Sequence, residues 1–314
     1  MVRILCVMDN VVSGNKGLKA QHGLSFYLEA GGKKLLFDFG QGRDTWENGK
    51  RLGVPFSSLD YAVFSHSHYD HCAGFLWAEE YGMKGCAVLG NEEEFFQKKY
   101  SLAQIAWPGA KRKGDYEERE GKRQNGERKG REEREGQGEK EPAWVIDLGC
   151  GFTKEYLWAK TGQQWVSEDV LPLGEGLWAV GGFARTHPWE TIPKRFVKEV
   201  QRGVMASDDF KEEICLAAET GSGLVVIVGC SHPGLLNMLD TVEQKLKRPI
   251  RAVIGGAHLV DAEEERLLQT AEGLTRLGVS LAAFNHCTGT EFVQLLGKSG
   301  IRSGYFGAGS CLYL

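Results

Sequence analysis

The sequence lacks the features that define several large classes of protein. It has no uninterrupted run of about 18 apolar residues, so it predicts no membrane-spanning helix. Its formal net charge is −4, so no overall positive charge attracts nucleic acid, and we expect no nucleic-acid partner. The apolar start, MVRILCVMDNVV, is not followed by a small-residue cleavage pattern, which favours a first strand over a signal peptide.

The sequence also lacks paired cysteines. It has eight cysteines, scattered in apolar surroundings and without a CxxC pair. This distribution favours reduced thiols in a cytoplasmic protein over a disulfide framework. Cys72 and Cys287 directly follow histidines discussed below, and we interpret both as small packing residues.

One stretch is nearly devoid of large apolar residues. Residues 111–141 carry 11 Lys and Arg against 10 Asp and Glu, and Tyr116 is the only large apolar residue. Such a stretch cannot bury enough surface to offset its ordering entropy. We predict a single domain over 1–314, interrupted by a charged, mobile insertion at 111–141. A tether for an acidic partner and a lid are the alternatives.

The whole chain is 42% hydrophobic, and outside that stretch its pattern predicts strands alternating with helices. FLWAEEYG and NEEEFFQKKY are predicted to be helical, whereas the pattern of DFKEEICLAAET does not distinguish two strands from one helix. Four apolar strands run directly into loops that carry histidine. These strands are LDYAVFSH, GLVVIVGCSH, RAVIGGAHL and SLAAFNHC, and their histidines are His66 to His71, His232, His258 and His286. Because ligand sites in layered α/β folds collect beyond the carboxyl ends of strands, we expect these histidines to meet.

The densest of these loops reads FSHSHYDHCAG, residues 64–74. Residues two apart in an extended segment point the same way, so His66 and His68 present both imidazoles to one point. Asp70 and His71, at the start of a helix, face a second point. Imidazole and carboxylate suit divalent metals, zinc first and manganese or iron as alternatives. Two such ions about 3.5–4 Å apart activate a bridging water. A solvated loop or a structural metal site is the simpler alternative.

The motif His66-x-His68-x-Asp70-His71 after a buried strand resembles the signature of the metallo-β-lactamase superfamily. The resemblance implies an α/β (α+β) fold, a four-layer αββα sandwich of two mixed sheets with helices outside. It also implies one metal held by His66, His68 and His232, and a second held by Asp70, His71 and His286. Asp38, in FDFG, would orient the site from behind the ligands.

One departure from the superfamily concerns the aspartate that bridges the two metals in most members. The strand that should carry it, RAVIGGAHL, ends on His258 instead, and Asp261 lies beyond. We predict catalytic roles for Asp70 and for His258, the latter as a ligand or as a substrate contact. Bridging by water alone, with a weaker second metal, is an alternative, as is simple packing of His258.

Other polar residues are candidates for substrate binding. His22 and Ser25 lie in the phrase QHGLS, and a histidine there could face the metals. Arg185, in GGFARTHPWE, could hold a phosphate with two hydrogen bonds. Asn237, in the helix after His232, either touches the substrate or caps the loop. The alternatives for the others are structural: a satisfied histidine at His22 and a surface ion pair at Arg185.

Five phrases narrow the resemblance to one branch of the superfamily: QHGLSFYLE, FDFGQ, GLVVIVGCSHPGLLN, IGGAHL and NHCTG. They resemble the branch of 7,8-dihydropterin-6-yl-methyl-4-(β-D-ribofuranosyl)aminobenzene 5′-phosphate synthase, which joins a pterin diphosphate to an aminobenzene ribose phosphate. A fold alone does not select a reaction. From the two-metal site and the water it would activate, we predict a metal-dependent enzyme that hydrolyses a phosphoester or other ester of a small molecule. The alternatives are a synthase of the kind just described and a non-catalytic metal or ligand sensor.

Overall fold

The computed structural model describes residues 1–14, 17–104, 143–166 and 169–314. The charged insertion predicted at 111–141 lies outside these residues. Numbered in chain order, the strands are β1 Arg3–Met8, β2 Ser25–Ala30, β3 Lys33–Phe37, β4 Tyr61–Val63, β5 Cys86–Leu89, β6 Lys99–Gln104, β7 Ala143–Asp147, β8 Gln163–Trp165, β9 Val170–Gly174, β10 Leu177–Val180, β11 Phe196–Gln201, β12 Val204–Ser207, β13 Cys215–Thr220, β14 Gly223–Val228, β15 Ile250–Gly255, β16 Leu281–Phe284, β17 Arg302–Tyr305 and β18 Cys311–Tyr313. The α-helices are α1 Arg43–Arg51, α2 Tyr69–Cys72, α3 Glu92–Phe95, α4 Lys154–Lys160, α5 Leu235–Leu246, α6 Glu264–Arg276 and α7 Thr290–Leu296.

Two seven-stranded mixed sheets form the centre of the molecule. The first has the order β18-β1-β2-β3-β4-β5-β8, antiparallel as far as β3 and parallel from β3 to β8. The second has the order β17-β16-β15-β14-β13-β10-β9, parallel from β17 to β14 and antiparallel beyond. Both sheets therefore carry a parallel half, as the alternation of strands and helices predicted.

Alternating side chains on each strand feed two different cores. On β1, Ile4 and Cys6 join the core between the two sheets, whereas Leu5 and Val7 face the outer core. On β14, likewise, alternate residues enter the central core and the core beneath α5, α6 and α7. Because both faces of these strands are buried, they read as continuous apolar runs. The arrangement confirms the predicted αββα sandwich.

The parallel halves bring the histidine loops together. The strands β3 and β4 of one sheet, and β14, β15 and β16 of the other, all end at the same edge of the sandwich. The chain that leaves β4 is anchored there, since the backbone N–H groups of Leu24 and Phe39 donate to the carbonyls of Asp70 and His71, at 3.1 and 2.7 Å. This edge is the predicted site.

Some local predictions were less accurate. FLWAEEYG forms a short 3₁₀ turn, Ala73–Trp77, and NEEEFFQKKY forms only the single turn α3 before β6 begins. A third, four-stranded sheet of order β12-β11-β6-β7 was not predicted. DFKEEICLAAET, which the pattern left open between helix and strands, forms a turn followed by β13. Within the described chain, no helix combines the length and apolar character that crossing a bilayer requires.

Candidate metal centre

Three histidines from both sheets converge in a first group. One ring nitrogen of each of His66, His68 and His232 lies within 4.8 Å of the other two, and all three residues are buried. The Nε2 atoms of His66 and His68 and both ring nitrogens of His232 have no hydrogen-bond partner among the described residues. Buried polar atoms without partners are costly, so three of them aimed at one point fit a bound divalent cation.

A second group lies beside the first, around Nε2 of His71. That atom is 3.2 Å from Nε2 of His286 and 3.9 Å from Oδ2 of Asp70. Nε2 of His286 is in turn 3.3 Å from the same Asp70 oxygen. The structure thus brings together the three residues that the sequence predicted for a second metal.

The protein orients both histidines of the second group from behind. Nδ1 of His71 donates to Oδ2 of Asp38 at 2.6 Å, and Nδ1 of His286 donates to Oδ1 of Asn10 at 3.2 Å. Each ring then presents the lone pair of Nε2, and the two Nε2 atoms are 3.2 Å apart. Two lone pairs at that distance repel each other unless a proton or a cation lies between them. The donor set therefore fits a metal here as well.

The charges of the two groups differ. Burial, together with the neighbouring histidines, holds the pKa values of His66, His68 and His232 well below the usual value. For His71, burial acts in the same direction, but the carboxylates of Asp38 and Asp70 outweigh it and raise the pKa to about 9. Burial disfavours the charged form of Asp70, yet the charge of His71 and the nearby rings of His22 and His286 hold the pKa of that carboxyl well below its usual range.

Asp38 lies where the sequence placed it, behind the ligands. Its Oδ1 accepts from the backbone N–H of Ser65 and its Oδ2 from the Ser65 hydroxyl, both at 2.7 Å. That hydroxyl lies 2.9 Å from Nδ1 of His66, so Asp38 supports a residue of each group. Asp38 has a left-handed backbone, with φ of 61°, as do four other non-glycine residues at this edge: Phe210, Ser231, His258 and His286. Such conformations concentrate at functional sites.

Sequence reasoning missed three supporting residues. Asp9 and Asn10 follow β1, and Asp9 accepts from the backbone N–H of His286 at 2.9 Å. The buried carboxylate of Glu213 accepts from the N–H groups of Ser231 and His232, at 2.7 and 2.9 Å. Burial and the neighbouring Glu212 raise the pKa of Glu213 to about 8. The phrase MDN at the end of a strand was a usable signal for Asp9 and Asn10.

His258 lies beside the first group. Its ring centroid is 4.5 Å from that of His232 and 5.5 Å from that of Phe196. Burial, with the charge of Arg195, lowers the pKa of His258 to about 4. Its ring nitrogens belong to none of the candidate metal clusters formed by the described residues. The predicted role of His258 as a substrate contact is compatible with this position.

The other predicted substrate residues differ in their access to the site. The His22 side chain is 55% exposed, and its Nε2 is 3.2 Å from Oδ2 of Asp70, so it lies at the mouth of the second group. Ser25 is fully buried at the start of β2, and its hydroxyl has no partner within the described chain. Their substrate roles remain predictions.

Arg185 and Asn237 lie on the far side of the His232 loop. Arg185 donates to the backbone carbonyl of Asp209 at 2.6 Å and lines a cavity of about 260 Å³ that also touches Phe210 and Pro233. Asn237 is fully buried; its Oδ1 accepts from the backbone N–H groups of Thr186 and His187, and its Nδ2 donates to the carbonyl of Pro233. These contacts favour the loop-fixing alternative for Asn237.

Comparisons with known proteins agree with this geometry. A family model described as the metallo-beta-lactamase superfamily matches residues 18–157. Over 300 residues the chain is 27% identical to the 7,8-dihydropterin-6-methyl-4-(beta-D-ribofuranosyl)-aminobenzene-5'-phosphate synthase of Methanocaldococcus jannaschii, covering 92% of this chain and 88% of the synthase. An uncharacterized protein of the same archaeon is 26% identical, over 95% of this chain and 94% of its own length.

Solved structures share the fold. A crystal structure described as a metal-dependent hydrolase of the beta-lactamase superfamily superposes with a TM-score of 0.75 at 23% identity, covering 100% of this chain and 99% of that one. A diphosphatase of the PhnP family gives a TM-score of 0.51 at 12% identity, covering 100% and 98% of the two chains.

Proposed function

We propose that the chain is a member of the metallo-β-lactamase superfamily and an enzyme that binds two divalent metal ions and acts on a phosphorylated small molecule. The match of the superfamily model to residues 18–157 and the 27% identity to the synthase over 92% of this chain support the proposal. The observation that carries the proposal is the convergence of two groups of buried ligand atoms at one sheet edge. In the first group these include ring nitrogens that have no hydrogen-bond partner among the residues the structure describes.

In this proposal His66, His68 and His232 hold one metal, and Asp70, His71 and His286 hold the other. Zinc is the first candidate for both, because imidazole and carboxylate are ligands that it commonly takes. Such a pair of ions would supply an activated water and neutralise charge that develops on phosphate oxygens. Asp38, Ser65 and Asn10 would hold the histidine rings in the orientation that metal binding requires.

Positive side chains around the first group support an anionic substrate. The Arg195 guanidinium lies 4.8 Å from the centroid of Phe196, whose ring is 5.6 Å from that of His68 and 5.5 Å from that of His258. Arg195 and Arg266 both act on His258 by their charge. Arg195 was not singled out from the sequence, and its guanidinium donates to Oδ2 of Asp261 at 2.9 Å. Its planar array of donors also suits phosphate oxygens, which would compete with that surface carboxylate.

Hydrolysis of a phosphoester is the reaction we propose first. His22 at the mouth and His258 beside His232 flank the two groups from opposite sides. His258 stays neutral near pH 7, since its pKa is about 4, and so it would orient the substrate by hydrogen bonding rather than by charge. The positive charge of Arg195 would neutralise part of the negative charge of the phosphate.

A second candidate is the transfer reaction named for the Methanocaldococcus relative. The 27% identity across 92% of this chain favours it. Transfer of a pterin to an aminobenzene ribose phosphate releases diphosphate, an anion that the same cationic site would bind. The two candidates differ in the nucleophile: water in hydrolysis, the aminobenzene substrate in transfer.

The test measures metal content and turnover on the same preparation. Elemental mass spectrometry is expected to find about two transition-metal ions per chain, as a two-metal site requires. The zinc-loaded protein is then assayed with a panel of phosphoesters, and with a pterin diphosphate in the presence and absence of the aminobenzene ribose phosphate. Release of phosphate from the esters supports hydrolysis, whereas diphosphate release that requires the second substrate supports transfer. Tight binding without turnover of any substrate would instead support a sensor.

A further inference from the structure

The thiol of Cys230 lies at the junction of the two ligand groups. Its Sγ is 3.1 Å from Nε2 of His71, the central atom of the second group. It also forms a cluster with His66 and His71 in which all three ligand atoms lie within 4.8 Å of one another. Cys230 is buried and immediately precedes Ser231 and His232, so the loop that supplies a first-group ligand supplies this thiol as well.

The structure explains why β15 supplies no side chain at this position. Strand β15, whose end was expected to carry a bridging aspartate, ends at Gly255 and is followed by Gly256. A Cβ atom added to Gly256 would lie 2.5 Å from the carbonyl oxygen of Gly229 and 2.7 Å from Sγ of Cys287. Any side chain there would collide with the loop that carries Cys230. The missing side chain on β15 therefore makes room for the neighbouring loop and its thiol.

Cys287 provides an internal comparison. Its Sγ accepts from the backbone N–H of His258 at 3.3 Å and donates to the carbonyl of Cys230 at 3.7 Å. Both hydrogen bonds of the Cys287 thiol are therefore with backbone groups, which is compatible with its predicted packing role. Sγ of Cys287 also lies within 4.8 Å of a ring nitrogen of His286 and of Sγ of Cys230. The Cys230 sulfur differs because it lies 3.1 Å from Nε2 of His71 and also clusters with His66, so it touches both ligand groups.

We propose that Cys230 is a thiolate ligand of the metal centre, taking the place between the two metal positions that an aspartate holds in most two-metal members of the superfamily. This rests on the metal binding proposed above. On metal binding, the thiol proton would leave to solvent and the sulfur would complete a second set of Asp70, His71, His286 and Cys230. His258 would then be left free for the substrate.

The proposal has a consequence for metal choice. Thiolate sulfur favours zinc and disfavours manganese, which prefers carboxylate and other oxygen ligands. We therefore expect the wild-type centre to select zinc over manganese. Replacing the sulfur by a carboxylate in Cys230→Asp should keep a ligand while shifting the preference toward manganese.

The test uses the full-length protein loaded with cobalt(II), which stands in for zinc and reports sulfur ligation by a thiolate-to-cobalt charge-transfer absorption in the near ultraviolet. We expect the band in the wild type and in the matched control Cys287→Ser. In Cys230→Ser the band should be absent, and metal affinity should fall by at least about 10-fold, the lower bound seen even for residues behind the ligands. Cys230→Asp should bind cobalt without the band, which separates loss of sulfur from misfolding.

The outcomes separate this inference from the proposed function. A wild type that binds two cobalt ions without the band overturns the role of Cys230 and leaves the metal centre intact. A band that survives in Cys230→Ser and disappears in Cys287→Ser assigns the sulfur to Cys287 and also overturns it. A wild type that binds no metal overturns both proposals together.

Discussion

The two groups of ligand atoms differ in how the protein positions them. In the second group, hydrogen bonds to Asp38 and Asn10 aim the rings of His71 and His286. In the first group, aromatic packing does most of this: the His232 ring stacks on Phe210 at a centroid distance of 3.9 Å and an interplanar angle of 13°. The second group contains a carboxylate, whereas the first consists of imidazoles alone.

This contrast shows which group depends more on a metal. In the second group, the carboxylates of Asp38 and Asp70 stabilise the protonated form of His71, and they raise its pKa. The first group has no carboxylate to stabilise protonated histidines, and burial keeps them neutral. A cation is therefore the natural partner for its unpaired nitrogens. We expect the first group to be sensitive to loss of a ligand and the second to loss of the groups behind its ligands.

The largest effect is expected from His68→Ala, which removes a first-group ligand. Loss of a group behind a metal ligand costs about 10- to 100-fold in metal affinity or activity, so loss of the ligand itself should exceed about 100-fold. Elemental analysis and turnover measure both quantities. His187→Ala serves as a matched control, because His187 pairs with Asp240 and belongs to neither group. A variant that retained two tightly bound metals would remove His68 from the ligand set.

Asp38→Asn should have an intermediate effect that reaches both groups, since Asp38 contacts His71 and also Ser65 behind His66. We expect metal affinity to fall by about 10- to 100-fold, as measured by competition with a chromophoric chelator. Asparagine tolerates the left-handed backbone at this position, so the fold should persist.

The partly exposed carboxylate of Asp44 offers the control for that experiment. It pairs with Lys19 at the surface, and Asp44→Asn should leave metal affinity unchanged. Equal affinities for Asp38→Asn and wild type would show that the carboxylate does not orient the ligands.

The smallest effect is expected from Asn10→Ala, which removes a neutral partner from one ligand, His286, and an acceptor from the backbone N–H of Gly23. A drop of about 10-fold in affinity, confined to the second metal, is expected in stepwise titration. Asn91→Ala is the control: Asn91 caps α3 through the N–H of Glu94, so its loss should cost about 1 kcal/mol of stability and no metal affinity. An equal weakening of both metals in Asn10→Ala would contradict the separation of the two groups.

The sequence predicted most where the relevant residues are close together along the chain. His66, His68, Asp70 and His71 occupy six consecutive positions, and their alternation on an extended segment followed by a helical turn predicts two directions of ligation. The apolar strands could also be predicted from the sequence. Both of their faces are buried, so they form continuous apolar runs. The third sheet was missed because its exposed strand β12 lacks that apolar pattern.

The supporting residues were missed for a different reason. Asn10 and His286 are 276 positions apart, and Cys230 and His71 are 159 apart, so no local spacing links them. In our proposal, the role expected for an aspartate on β15 is taken by Cys230, which lies on a different loop. That change depends on how closely the Gly229–Cys230 backbone approaches Gly256, a property of packing between strands.

The amino-acid sequence by itself indicated the alternation of strands and helices and the sheet edge at which the site lies, because periodicity and local spacing encode strand direction and side-chain direction. The full set of six residues expected to bind metal followed from the resemblance of the motifs to the superfamily. Only the tertiary structure decided which oxygen atoms lie behind each histidine and which sulfur lies between the two groups. Those contacts join β1, β4, β14 and β16, and they exist only once the parallel ends of two sheets have packed against each other.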